Sequence, residues 1–147
     1  MFTVIEAVSI ARSREDVFDF LTDGRNRPQW DATVIFEELT SPAPVGVGST
    51  IHTRMRTMGR EADFHWRVTE FDPPNRMAIV STAGLMPTSL TLVFAANGAA
   101  CDVSAAIEAS PAGMLRIVEP MIAESVVSTL GAGLAKAKAL LERRALD

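Results

Sequence analysis

Apolar and polar positions alternate with a period of two along most of the chain and switch to a helical period near residue 14 and again near residue 113. Met1 to Ile10 alternates and predicts a first strand. Ser13-Arg14-Glu15-Asp16 has the form of a capping box, with Ser13 as N-cap. Val17, Phe18, Phe20 and Leu21 then give a short helix with one apolar face, stopped by Thr22-Asp23-Gly24. Arg25 to Trp30 holds one further turn, limited by Pro28. Thr33 to Leu39 predicts a second strand, and the Pro- and Gly-bearing stretch from Ser41 to Gly48 a loop.

Ser49 to Thr57 predicts a third strand, with Ile51, Thr53 and Met55 on one side and His52, Arg54 and Arg56 on the other. Met58-Gly59 predicts a tight turn. In the next strand, Glu61 to Phe71, Phe64, Trp66 and Val68 oppose Asp63, His65 and Arg67. Asp72-Pro73-Pro74-Asn75 must turn, because proline cannot serve a sheet interior. Met77 to Thr82 is a fifth strand. Ser89–Phe94 and Cys101–Glu108 flank Asn97-Gly98, the strongest short-range hairpin signal. From about Ala112 to Arg144 the apolar positions Met114, Ile117, Val118, Met121, Ile122, Val126, Leu130, Leu134, Ala137 and Leu141 keep helical spacing. Pro120 should kink this helix or mark its true start, and Gly131 and Gly133 allow something to approach its middle.

Together these elements predict an α+β fold: a curved seven-stranded antiparallel sheet wrapped around a long C-terminal helix, with short helices after the first strand. The long helix is the one element large enough to cover the apolar sheet face. The groove between them should be lined by Trp30, Phe36, Met55, Phe64, Trp66, Ile79, Leu90, Leu92 and Val103, facing Ile117, Met121 and Ser125 of the helix. Trp30 should be buried at the groove's end.

The length of 147 residues suits one domain spanning 1–147, and 48% hydrophobic content can fill its core. A net charge of −4 with no clustered basic face argues against a nucleic-acid partner. One cysteine excludes an intramolecular disulfide and a multi-thiolate metal centre. The N-terminus lacks the basic segment of a secretory signal. The long uncharged run from Met77 to Cys101 contains Pro87 and Asn97-Gly98 and reads as strands, so stable membrane insertion is not expected. The expected location is the cytoplasm, and twelve Arg against two Lys fits a GC-rich bacterial genome.

Several segments in this order resemble the START-like (Bet v 1-like, SRPBCC, helix-grip) superfamily, specifically its polyketide cyclase/dehydrase branch. They are Val17-Phe18-Asp19-Phe20-Leu21-Thr22-Asp23, Pro28-Gln29-Trp30-Asp31, Gly46-Val47-Gly48-Ser49, Val68 to Arg76 and the helix beginning near Gly113. The resemblance implies a hydrophobic small-molecule ligand held between helix and sheet. Such a ligand is a lipid, a polyketide or an aromatic compound. Members of the superfamily bind such ligands, cyclise or dehydrate them, or act as chaperone activators. No cofactor is implied, and a homodimer is compatible with the pattern.

The candidate chemistry is sparse. His52 and His65 fall opposite the apolar face and read as surface residues, with no third ligand spaced for a metal. The chain has no tyrosine, so half of the Tyr and Arg repertoire for steering a phenolic substrate is missing. Arg54, Arg56 and Arg67 share the outer face with the histidines. Glu70 has inner parity and reads as a rim carboxylate, Asp31 as a turn residue, and Glu119 and Glu124 as solvated helix positions. Cys101 reads as a buried structural thiol. Ser125 and Thr129 lie on the helix stripe and either line a cavity or bond back to the backbone. Gly46-Val47-Gly48 lacks the following helix that a phosphate loop needs. Met55, Met77, Met86, Met114 and Met121 occupy apolar positions and suit either ordinary core filling or an adaptable cavity.

Overall fold

Alternation of period two folds into strands that pair with their neighbours in the chain, except the first, which pairs with the last. A computed structural model describes residues 1–57 and 59–144. Its elements are β1 (Phe2–Ile10), α1 (Arg14–Thr22), a 3-10 turn (Gly24–Asn26), α2 (Arg27–Trp30), β2 (Val34–Leu39), β3 (Thr50–Thr57), β4 (Arg60–Asp72), β5 (Arg76–Ala83), β6 (Thr88–Asn97), β7 (Ala100–Ala109), a 3-10 segment (Gly113–Val118) and α3 (Glu119–Arg144). The sheet has the order β1-β7-β6-β5-β4-β3-β2, with every described pairing antiparallel. It curls into a half-barrel around the C-terminal helical segment, a helix-grip fold. Met58 of the expected Met58-Gly59 turn lies outside the described residues; Gly59 has a φ of +74°, which its missing Cβ permits.

Local signals act as their chemistry dictates. Ser13 Oγ accepts a hydrogen bond from the Asp16 amide at 3.2 Å and caps α1. The Asp16 carboxylate turns instead to Arg12 at 3.0 Å, so half of the capping box forms. Pro120 is the second residue of α3, where its missing N–H leaves no intrahelical bond unmade.

The long helix runs beside β1 and in the same direction. The Met1 amino group reaches Glu119 at 3.2 Å, the Ser9 carbonyl accepts from Lys138 at 2.6 Å, and the Ala11 amide donates to Glu142 at 2.9 Å. Ten strand steps at about 3.4 Å and twenty-three helical steps at about 1.5 Å both span roughly 34 Å, so helix and strand keep pace along their whole length. The buried stripe of α3 is Ile122, Leu130, Gly133, Leu134, Ala137 and Leu141.

That stripe corrects the expected helix lining. Ile117 is 80% exposed, Met121 69% exposed, and Ser125 is exposed as well. Met121 and Ser125 each precede by one residue an inward position, the buried Ile122 and the half-buried Val126, a rotation of about 100° away from the sheet. Ile117 lies in the 3-10 segment, where three residues per turn break the α-helical phase.

A second correction concerns β2. Regular alternation puts Val34 and Phe36 on the same face. The register of β2 on β3 shifts between Val34 and Phe36, so Val34 pairs with Met55 but Phe36 with Arg54 and Glu37 with Thr53. This irregularity turns Phe36 to the outer face, where its ring stands edge-on to His52 at 5.1 Å. It turns Glu37 inward.

Candidate functional site

α1 is nine residues long, and its buried residues are Val17, Phe18, Phe20 and Leu21. Phe18 meets Phe94 at 5.0 Å and Phe71 at 5.6 Å, both edge-on, which anchors α1 toward the middle of the sheet. Beyond it, toward β2 and β3, a cavity of about 700 Å³ opens between α1, the 3-10 turn at Gly24, the 39–45 segment and the Phe71–Pro73 corner. Phe18, Leu39, Val45, Ile51 and Phe71 form its apolar wall. Asp19, Thr22, Asp23, Arg25 and Glu37 supply the polar groups, while Glu38 borders the cavity with its carboxylate turned to the outer face. A space of about 20 Å³ adjoins it through Thr22, Glu37 and Ile51, and is lined further by Leu21, Arg27, Met77, Ile79, Leu90 and Leu92.

Glu37 stands where the two spaces meet. Its Oε1 accepts from Thr53 Oγ1 at 2.7 Å, and Thr53 Oγ1 in turn accepts from Trp66 Nε1 at 3.1 Å. On the other side Arg27 reaches the same Oε1 at 3.4 Å and bonds Asp31 at 3.0 Å. Asp31 Oδ1 accepts from the Thr33 hydroxyl at 2.6 Å and the Thr33 amide at 3.0 Å, so it also closes the turn after α2. The chain Trp66–Thr53–Glu37–Arg27–Asp31 thus crosses the inner wall with its members bonded to one another, which is what burial of polar groups requires. Burial is the largest influence on Arg27 and works against its charge, yet Glu37 and Asp31 hold its pKa above the ordinary guanidinium value. Gly24 packs against Glu37: a Cβ there would lie 2.9 Å from Oε2.

The sheet residues expected to line a groove divide into two groups. Ile79, Leu90 and Leu92 line the small inner space. Phe64, Trp66 and Val103 are packed into the core, and Met55 is half-buried against it. Trp30 is 3% exposed beneath α3, with Arg27 over its ring at 4.8 Å. A Cβ at Gly133 would meet the Trp30 carbonyl at 3.1 Å, so helix and ring are in direct contact. Trp30 Nε1 has no hydrogen-bond partner among the described residues. The faces joined by α3 are therefore filled with side chains, and the open volume lies at the other side of the half-barrel.

Sequence reasoning missed Glu37, Arg27 and Thr53 as a unit. The available signal was Thr53, a hydroxyl on the same parity as Ile51 and Met55, because an inward polar group needs a partner.

The remaining candidates sit elsewhere. His52 and His65 stack on the outer face at 4.6 Å with 8° between ring planes. His52 bonds Asp63 at 2.8 Å and Glu38 at 3.3 Å, and the Asp63 bond raises its pKa above the usual histidine value. Glu70 pairs with Arg76 at the surface, because the register of β4 on β5 shifts between Val68 and Glu70. Cys101 is fully buried, and burial pushes its thiol pKa up. Glu119 holds the N-terminal amine, and Glu124 is exposed. Among the described residues no three His, Cys, Asp or Glu side chains gather in a metal-binding arrangement.

Residues 1–142 match the family model described as polyketide cyclase / dehydrase and lipid transport. No curated protein matches the sequence. Among solved structures, the chain is similar to a START superfamily protein from Mycobacterium smegmatis, at 15% identity over 96% of this chain and 97% of that one, with a TM-score of 0.80. It is similar to the Zhui aromatase/cyclase from Streptomyces sp. R1128 at 15% identity, covering 98% and 95%, with a TM-score of 0.79. A protein from Thermus thermophilus matches at 19% identity, covering 94% and 98%, with a TM-score of 0.74. These likenesses establish a shared fold.

Proposed function

The chain belongs to the polyketide cyclase/dehydrase and lipid-transport family, and on that premise we propose that it binds an apolar small molecule in the cavity between α1 and the β2–β3 side of the sheet. The observation that carries this reading is the cavity itself. Its volume of about 700 Å³ lies within the range of small-molecule sites. Apolar walls and a few convergent polar groups are the composition such sites use. The groove under α3, by contrast, is occupied by Leu130, Leu134, Ala137 and Leu141. We place this activity in the cytoplasm, as a binding module.

A second reading is an enzyme that cyclises or dehydrates its ligand. It is favoured by one observation: the Glu37 carboxylate faces the cavity, where it can accept a proton from a bound compound. The histidines, on the outer face, take no part in it.

Nile red, a neutral apolar dye, tests the binding reading. It should bind saturably, and Val45→Trp, which fills the cavity from its loop wall, should weaken binding by at least about tenfold with the circular dichroism spectrum unchanged. Equal binding to Val45→Trp and wild type would remove this cavity as the site.

A further inference from the structure

We propose that this cavity selects an apolar ligand carrying a protonated amine, seated with its ammonium group on Oε2 of Glu37; the inference rests on the cavity being the ligand site. Its walls carry the carboxylates of Asp19, Asp23 and Glu37 against the guanidinium of Arg25, with Arg27 in the adjoining space. Both cations are already engaged. Arg25 chelates Asp23 at 2.7 Å, and Arg27 is shared between Asp31 and Glu37 Oε1. An anionic head group entering here meets unbalanced negative charge and no free cation among the described lining residues.

Glu37 supplies the positive half of the argument. Its side chain is nine-tenths buried, at 10% exposure. Both of its donors, Thr53 and Arg27, come to Oε1, and Oε2 receives no hydrogen bond from the described residues. Gly24 leaves that oxygen approachable, since a Cβ at this position would stand 2.9 Å from it. A ligand that displaces solvent from a carboxylate oxygen must replace the lost hydrogen bonds. A hydrocarbon replaces none of them. A hydroxyl returns one bond but no charge. An ammonium group returns the bond and the opposite charge, in a setting where solvent screens weakly. Carboxylates and phosphates bring like charge to the same oxygen and are rejected.

Three probes of one shape separate these cases: 1-naphthylmethylamine, 1-naphthylmethanol and 1-naphthoate, titrated calorimetrically at neutral pH into wild type and Glu37→Gln. The amine should bind wild type at least about tenfold more tightly than the alcohol, the size of one charge-assisted hydrogen bond, and naphthoate more weakly than both. In Glu37→Gln the amine and the alcohol should bind alike. Should that variant fail to fold, Gly24→Ala, whose methyl group crowds Oε2, should narrow the same ratio. An alcohol that binds wild type as well as the amine, or an amine preference that survives both substitutions, overturns this proposal while leaving the cavity as a binding site. Failure of all three probes, together with Nile red, overturns both.

Discussion

Along β1, a 26-residue helix carries Gly133 and Ala137 on its inner stripe and closes to contact with Trp30. Along β2 and β3, the cover is a nine-residue helix and a three-residue 3-10 turn, and a cavity remains. The inner faces also differ in kind. The β1 side presents Val4 and Ile10 beneath Leu134 and Leu141, all buried and apolar. The β2–β3 side presents Glu37 and Thr53, whose polar atoms need partners at fixed distances. Small residues on a long helix let one side collapse to core density. A short helix spends its apolar face on the middle of the sheet and leaves the far strands incompletely covered. The proposed ligand-binding role thus falls on the side that the fold does not fill with its own side chains.

The contrast between the two sides breaks most visibly at Trp30. Trp30→Ala should cost about 3–5 kcal/mol, because its cavity forms in sealed core, whereas Leu39→Ala on the open wall should cost less than about 1 kcal/mol. Urea unfolding of the two variants measures this. Similar losses would mean that the two sides are equally packed.

An intermediate effect is expected at Thr53, which is 2% exposed. Thr53→Val strips the acceptor from Trp66 Nε1 and the donor from Glu37, at a cost of about 1–3 kcal/mol for buried groups left unpaired. The tryptophan emission should shift with it. A variant as stable as wild type would show that the polar chain does not hold the open side in shape.

The smallest effect lies on the outer surface behind the same strands. The Asp63 bond raises the pKa of His52, so the stability this adds is full below the ordinary histidine value of about 6.5 and fades as pH rises through the folded value. Asp63, lowered chiefly by the same bond, adds stability above about 3.9 that is lost as pH falls through its folded value. Stability should therefore show a contribution between these limits that disappears in Asp63→Asn. A pH profile unchanged by that substitution would show that the pair contributes nothing measurable.

Much of the fold was legible from local chemistry. The Ser13 cap, the turn at Pro73-Pro74, the Asn97-Gly98 hairpin and the face parities of β3, β6 and β7 depend on neighbours within a few residues, and the chain states them directly. The outward histidines follow from the same period of two. Three features depended on partners far along the chain. A shift of register in β2 is invisible until β3 fixes the pairing, and that shift exchanged Phe36 for Glu37 on the inner face. Helical spacing alone predicts a stripe one residue wider than the buried one, because only contact with β1 decides which edge of an amphipathic face is buried; Met121 and Ser125 lie outside it. The position of the cavity followed from neither period nor composition. It is the space left when α1 docks on Phe94 and Phe71 and α3 docks on β1, and a space between elements is set by their packing, not by the residues of any one of them.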